Sequence, residues 1–132
     1  MNLRWGWGPT VDRSWQLAGF ILTVFGHVIV VWAMSANAFF SAQVRIQTER
    51  GHTVANTGPY KLIRHPGYIG AMIFSLGIPL MLGSWWAVIP GVFSVILYIV
   101  RTALEDRTLL DELPGYVDYA QSVKFRLIPG VW

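Results

Sequence analysis

Three apolar runs divide this chain, and only Gly83-Ser84 separates the second from the third. The first run covers 15–34, close to the ~20 residues a helix needs to cross the hydrocarbon of a bilayer. The second, 68–82, is shorter and is interrupted by Gly77 and Pro79. The third, 85–100, is entered through Trp85 and Trp86. A two-residue link between helix-length runs predicts a tight antiparallel helical hairpin. The expected fold is all-α: an integral membrane protein of about three transmembrane helices, with cytoplasmic C-terminal helices after the hairpin. Pro79 and Pro90 are tolerable in such helices because neighbours can satisfy the backbone groups they free. Gly70, Gly77 and Gly91 allow helices to approach closely.

Composition points the same way. The chain is 54% hydrophobic and 13% charged, whereas soluble domains average roughly 45–50% and 25%. A pair of soluble helices buried in a large core is the bland alternative, but 132 residues cannot cover that much apolar surface. The length suits one domain, 1–132. The absence of cysteine excludes disulfides, thiolate metal sites and a cysteine nucleophile. His27, His52 and His65 are too far apart in sequence to suggest a metal centre. A net charge of +3 suits anionic headgroups and is too small and scattered to argue for nucleic acid. The amino terminus has no short apolar core ending in a cleavage site, so no signal peptide is expected. Trp5, Trp7 and Trp15 read instead as an interfacial segment.

Lysine and arginine set the expected orientation. Arg45, Arg50, Lys61 and Arg64 lie between the first two runs, and Arg101, Arg107, Lys124 and Arg126 follow the third. With three crossings all eight fall on one side. That side is expected to be the cytoplasm, with the amino terminus outside, and most of the polar chemistry lies there.

Three polar segments hold the candidates. Val44 to Tyr60 contains Gly51 and the loop-forming Asn56-Thr57-Gly58-Pro59. Arg64 to Gly70, RHPGYIG, leads into the second run, with Pro66 suited to the first helical turn. Arg101 to Pro129 begins as a helix leaving the third run, on which Arg101 and Glu105 share a face and Asp106 points about a quarter-turn away. Pro114-Gly115 ends that helix, and a short amphipathic piece with Tyr116 and Tyr119 follows. Each feature has an ordinary reading too. Arg101 and Glu105 are spaced as a surface ion pair. His65 is placed to cap a helix or meet a lipid phosphate, and Tyr60, Tyr68, Tyr116 and Tyr119 are each more simply interfacial anchors. His27, ionisable in the middle of the first run, is a functional candidate by position, although a neutral histidine bonded to a neighbouring helix also explains it.

Taken in order, HTVANTGPY, RHPGYIG, the Arg-x-x-x-Glu of RTALED, GYVDY and RLIP resemble the isoprenylcysteine carboxyl methyltransferase family, a relative of the phospholipid methyltransferases. The resemblance covers 44–129. It implies S-adenosylmethionine as cofactor, bound between the loop before the hairpin and the helix after it. Carried over position by position, it makes Gln47, His52, Thr53, Val54, Ala55, Tyr60, His65, Pro66, Gly67, Tyr68 and Glu105 cofactor contacts. Arg101 becomes the residue that handles the substrate, and Arg101 and Glu105 are the expected catalytic pair. Many family members have two consecutive glutamates where this chain has Glu105-Asp106. Longer members carry further membrane helices before the matched part, so this chain is either a minimal member or shares helices with a second copy.

The residue types suit that chemistry. A carboxylate such as Glu105 pairs with the ammonium of the cofactor, and the faces of Tyr60 and Tyr68 suit an adenine ring or a sulfonium cation. No glycine-rich loop follows a strand, which excludes a dinucleotide-type nucleotide fold. A carboxylate acceptor is ionised at neutral pH and needs no general base, and Arg101 can hold it through paired hydrogen bonds. An amine acceptor would need a base, with Glu105, Asp106 or His65 as candidates. Expected partners are therefore a lipophilic or prenylated substrate and membrane lipids. The alternatives are a phospholipid amine N-methyltransferase, an NADPH-dependent sterol-type reductase, and a non-catalytic membrane assembly protein. Ala71 after Gly70, where the reductases would place an acid, disfavours the second.

Overall fold

The computed structural model describes residues 11–41, 46 and 51–132. Gln47, the interfacial Trp5 and Trp7, and the charges Arg4, Arg45 and Arg50 lie outside the described residues. Among those described there are four α-helices and no strand: α1 Arg13–Ala36, α2 Pro66–Met81, α3 Val88–Glu112 and α4 Tyr116–Ser122. A short 3-10 turn, Gly58–Lys61, precedes α2.

Two of these helices, α1 with 24 residues and α3 with 25, are long and apolar enough to cross a membrane. At ~1.5 Å per residue, each is longer than the ~30 Å hydrocarbon layer. The second run forms the shorter α2, 16 residues long. The third run does not stop at 100; it continues as one helix to Glu112, which carries Arg101, Glu105 and Asp106 out of the apolar stretch on a rigid rod.

The helices α1 and α2 touch backbone to backbone through two glycine pairs. A Cβ at Gly26 would lie 2.6 Å from the Gly70 carbonyl oxygen, and one at Gly77 would lie 2.9 Å from that of Gly19. Both pairs recur after two helical turns, so only glycine fits along the seam. The contact between α2 and α3 has a different origin. Pro79, inside α2, has no N–H to offer the Ser75 carbonyl. A Cβ at Gly91 of α3 would come within 2.7 Å of that same oxygen.

The hairpin turn follows from one glycine. Gly83 adopts φ 68°, Ser84 N–H donates to Pro79 O at 3.0 Å and Gly83 N–H to Leu80 O at 2.9 Å. This paired closure of a helix end needs a left-handed residue after the cap.

Outward-facing side chains are strongly apolar: Phe20, Phe25 and Val28 on α1, and Ile89, Phe93 and Ile96 on α3, are each more than half exposed. His27 also faces outward on α1, with its ring 6.2 Å from that of Phe74. The buried core sits at one end of the helices, where Ala33, Tyr60, Leu113, Tyr116, Tyr119 and Val123 cluster. Tyr60, Tyr116 and Tyr119 are therefore core residues rather than the interfacial anchors their isolated positions suggest.

Candidate active site

The polar end is assembled from four segments. The segment after α1 contributes Asn37, Phe39 and Phe40; the extended stretch 52–57 and its 3-10 turn contribute His52, Val54, Ala55 and Tyr60; the start of α2 contributes His65 and Tyr68; and the far end of α3 contributes Glu105 and Leu109. Together with Tyr116 and Tyr119 of α4 they line a cleft open to solvent on one side. Asn37 Nδ2 donates to the Tyr60 hydroxyl at 3.3 Å and Tyr119 Oη donates to the Tyr60 carbonyl at 2.7 Å, which fixes the loop. His52 stacks on Phe39, ring centres 4.5 Å apart. Pro66 takes the first helical position of α2, leaving His65 as the cap residue. The His65 side chain makes no capping bond.

Glu105 faces the cleft. Tyr68 Oη donates to Glu105 Oε2 at 2.5 Å and accepts from Arg101 Nε at 2.7 Å. The Arg101 guanidinium also lies over the Tyr68 ring, 5.5 Å from its centre. Arg101 and Glu105 themselves are 4.0 Å apart, so Tyr68 joins them more tightly than their own i,i+4 spacing does. The other face of the Tyr68 environment is set by His65, whose ring lies nearly parallel to it at 5.8 Å.

Asp106 turns the other way and is fully buried. Oδ1 receives Tyr116 Oη at 2.9 Å, His65 Nε2 at 3.2 Å and Arg64 Nη1 at 3.1 Å, and Oδ2 receives Arg126 Nε at 2.7 Å. Burial pushes this carboxyl up, but the hydrogen bonds from His65, Arg126 and Tyr116 outweigh burial and hold it at about 2. Burial also raises the phenols of Tyr60, Tyr116 and Tyr119, so that they remain protonated donors. Backbone bonds complete the clamp: Arg64 N–H donates to Phe125 O and His65 N–H to Arg126 O, each at 2.9 Å. The tail after α4 is thereby tied to the entry of α2.

Of the residues singled out from sequence, His52, Val54, Ala55, Tyr60, His65, Gly67, Tyr68 and Glu105 line the cleft. Thr53 is exposed, and Pro66 is buried at the helix start without lining it. Arg101 lies behind Tyr68 rather than in the lining. No group of three or more metal-ligating side chains occurs among the described residues. The sequence reading passed over Asp106 as a hub, together with Arg126 and Asn37. Its signal was available in helical spacing: Thr102, Asp106 and Leu109 of α3 and its capping residue Leu113 form one stripe, and all but Leu109 are fully or almost fully buried.

The chain belongs to the phospholipid methyltransferase family, whose model matches residues 15–113. It is similar to protein-S-isoprenylcysteine O-methyltransferase A of Arabidopsis thaliana, 28% identical over 120 residues, covering 87% of this chain and 61% of that protein. The rat protein-S-isoprenylcysteine O-methyltransferase is 31% identical over 126 residues, covering 89% of this chain and 43% of its own length. The Saccharomyces cerevisiae protein of the same name is 26% identical over 120 residues, covering 83% of this chain and 50% of the relative. The chain thus spans between two fifths and about three fifths of the length of these three relatives.

Proposed function

We propose that the chain transfers a methyl group from S-adenosylmethionine to the carboxylate of a lipophilic, prenylcysteine-like acceptor at a membrane surface. The observation that carries this reading is the convergence of Glu105, His65 and Tyr68 on one cleft, with Arg101 bonded to the far side of Tyr68. The cleft suits the cofactor chemically: a part-exposed carboxylate for an ammonium, aromatic rings for an adenine and a sulfonium, and a mouth open to solvent. Glu105, His65 and Tyr68 would hold the amino-acid end, with Tyr60, His52 and the loop 52–55 around the remainder. Bound there, S-adenosylmethionine supplies an electrophilic methyl group.

The protein's own contribution is alignment and exclusion of water. Arg101 holds the acceptor carboxylate through charge-assisted hydrogen bonds. The Tyr68 phenol bridges Arg101 to Glu105 and so fixes the distance between the acceptor and cofactor subsites. An ionised carboxylate needs no proton removed. An amine acceptor would need a base, and Asp106 is unsuited because four donors already occupy its oxygens. The cationic side chain of Arg101 suits an anionic acceptor, which favours the carboxylate over the phospholipid amine.

In this reading α1, α2 and α3 all cross the bilayer, with the amino terminus outside and the cleft at the cytoplasmic face. Arg64 and His65 pair with residues 125–126, so both segments lie on one side, as an α2–α3 hairpin requires. The test uses the purified chain in lipid nanodiscs with methyl-labelled S-adenosylmethionine and an S-prenylated cysteine analogue. Alkali-labile label in the lipid product is expected, since an ester hydrolyses. Label that resists alkali, or that enters phosphatidylethanolamine instead, overturns the carboxylate assignment.

A further inference from the structure

Two polar side chains occur in the middle turns of α1, and they are treated differently. Thr23 is half-buried and its hydroxyl donates to Gly19 O at 2.7 Å, so it is satisfied within its own helix. His27 is exposed. Its ring faces that of Phe74 on α2 at 6.2 Å, which offers it no acceptor, and no hydrogen bond to the imidazole occurs among the described residues. Nine residues separate His27 from the end of the helix at Ala36, ~13 Å along the axis. With α1 across the bilayer, that depth is hydrocarbon, and an imidazole is too short to reach the headgroups from it. Ionisable side chains at such depth face the interior of a bundle or a water-filled cavity and are paired there. An unpaired one on an outward face marks that face as the inside of a larger assembly.

The residues around His27 are spaced for a helical partner. Leu17, Phe20, Val24, His27, Val31 and Met34 follow one another in alternating steps of three and four, the repeat of two helices wound together. The five apolar members are between 46% and 60% exposed. The β-branched Val24 and Val31 take alternate places in the repeat, which suits a pair of strands, and a single polar residue within it sets the register. Phe20 and His27 each follow a glycine of the seam against α2, Gly19 and Gly26. The stripe therefore stands ~100° round the helix from that seam, where a further helix can seat without displacing α2.

The partner that fits is a second copy. Two copies threaded alike run parallel, so a two-fold axis along the membrane normal brings identical residues together at one depth. A neutral imidazole donates at one nitrogen and accepts at the other, which makes it complementary to itself, whereas an unrelated helix would have to carry a polar group at the same level. We infer that two copies of this chain pair through α1, the stripe from Leu17 to Met34 forming the contact and His27 hydrogen-bonding the partner's His27 at its centre. This rests on the part of the proposed function that sets α1 across the bilayer, and on neither the cofactor nor the acceptor.

The chain has no cysteine, so single substitutions report without background. Val24→Cys and Val31→Cys lie on the stripe; Val28→Cys, 57% exposed on the same helix, and Phe93→Cys, 59% exposed on α3, lie off it. The whole chain is reconstituted in phosphatidylcholine vesicles at low protein-to-lipid ratio and oxidised with copper phenanthroline, while a water-soluble maleimide measures each position's access to water. The expected result is a disulfide-linked dimer at 24 and 31, little at 28 and 93, and no maleimide at 28 or 93. In the cysteine-free chain, dilution into lipid followed by energy transfer between labelled copies should show the dissociation constant raised roughly three- to tenfold by His27→Leu, the effect of one interhelical hydrogen bond. His27→Asn, which keeps a donor and an acceptor, should recover most of that loss. Equal linking at all four positions, or none with position 28 closed to maleimide, overturns the pairing and leaves the bilayer reading standing. A dimer as tight in His27→Leu as in the parent overturns the part given to His27. Maleimide reaching position 28 removes the crossing by α1 and this inference with it.

Discussion

Glu105 and Asp106 are neighbours in sequence with opposite surroundings: the Glu105 side chain is 24% exposed at the cleft, whereas that of Asp106 is wholly enclosed by donors from the segment entering α2, from α4 and from the tail. One residue step on a helix turns a side chain by ~100°, which suffices to place one acid in the site and the other in its foundation. Substitutions at the two positions should therefore fail differently.

Asp106→Asn leaves the guanidinium of Arg64, almost completely buried, beside a neutral amide. Removing one partner of a buried ion pair typically costs about 3–5 kcal/mol. Denaturation of the variant in detergent should show a loss of that order, and a loss below ~1 kcal/mol would contradict the hub.

The same carboxyl makes stability depend on acid. Its pKa falls from an ordinary 3.8 to about 2 on folding. A depressed folded pKa contributes stability that is complete above the unfolded value and disappears as pH drops through the folded one, on the order of 2 kcal/mol here. Unfolding midpoints should therefore decline between about pH 4 and pH 2, with a shallower decline in Asp106→Asn.

Glu105→Gln keeps the shape and removes the charge facing the cleft. Charge-assisted hydrogen bonds contribute about 1.5–3 kcal/mol, so calorimetry should show S-adenosylhomocysteine binding weakened roughly 10- to 100-fold while the melting temperature changes little.

Arg101→Ala is expected to raise the KM for the prenylated carboxylate by about tenfold or more, with S-adenosylhomocysteine affinity altered less than about twofold. Equal losses in both would contradict the division between acceptor and cofactor subsites.

Gly70→Ala tests the helix seam. The added Cβ would lie 2.6 Å from the Gly26 carbonyl oxygen, and overpacking of this kind costs about 1–3 kcal/mol. Ser94→Ala, at a partly exposed site whose hydroxyl bonds back to Pro90 O at 2.9 Å, should stay within about 0.5 kcal/mol of the parent.

Much of the architecture was legible because its causes are local. Apolar run length, the Gly83-Ser84 link and the proline at the start of RHPGYIG each act within a few residues, and α1, α2 and the hairpin appear where those signals stand. The end of α3 was legible too: the Arg101–Glu105 spacing and the Pro114-Gly115 stop carry the helix past its apolar part to Glu112, where polar partners rather than lipid cover the extension. The cleft residues followed from motifs carried by resemblance, and most of them converge. What escaped was the web around Asp106. Arg64, Tyr116 and Arg126 meet it only after the chain doubles back, so composition and spacing rank them as ordinary surface charges and an interfacial tyrosine.

The backbone bonds from Arg64 and His65 to Phe125 and Arg126 join positions some sixty residues apart, and in a bilayer that span must contain an even number of crossings. A chain that inserts only one arm of its hairpin leaves the two halves of the cleft on opposite leaflets, with no way to meet. If the cleft takes the nucleoside as proposed, ligand capture doubles as a readout of topology: a correctly threaded molecule would hold it, and a misthreaded one has no pocket to offer.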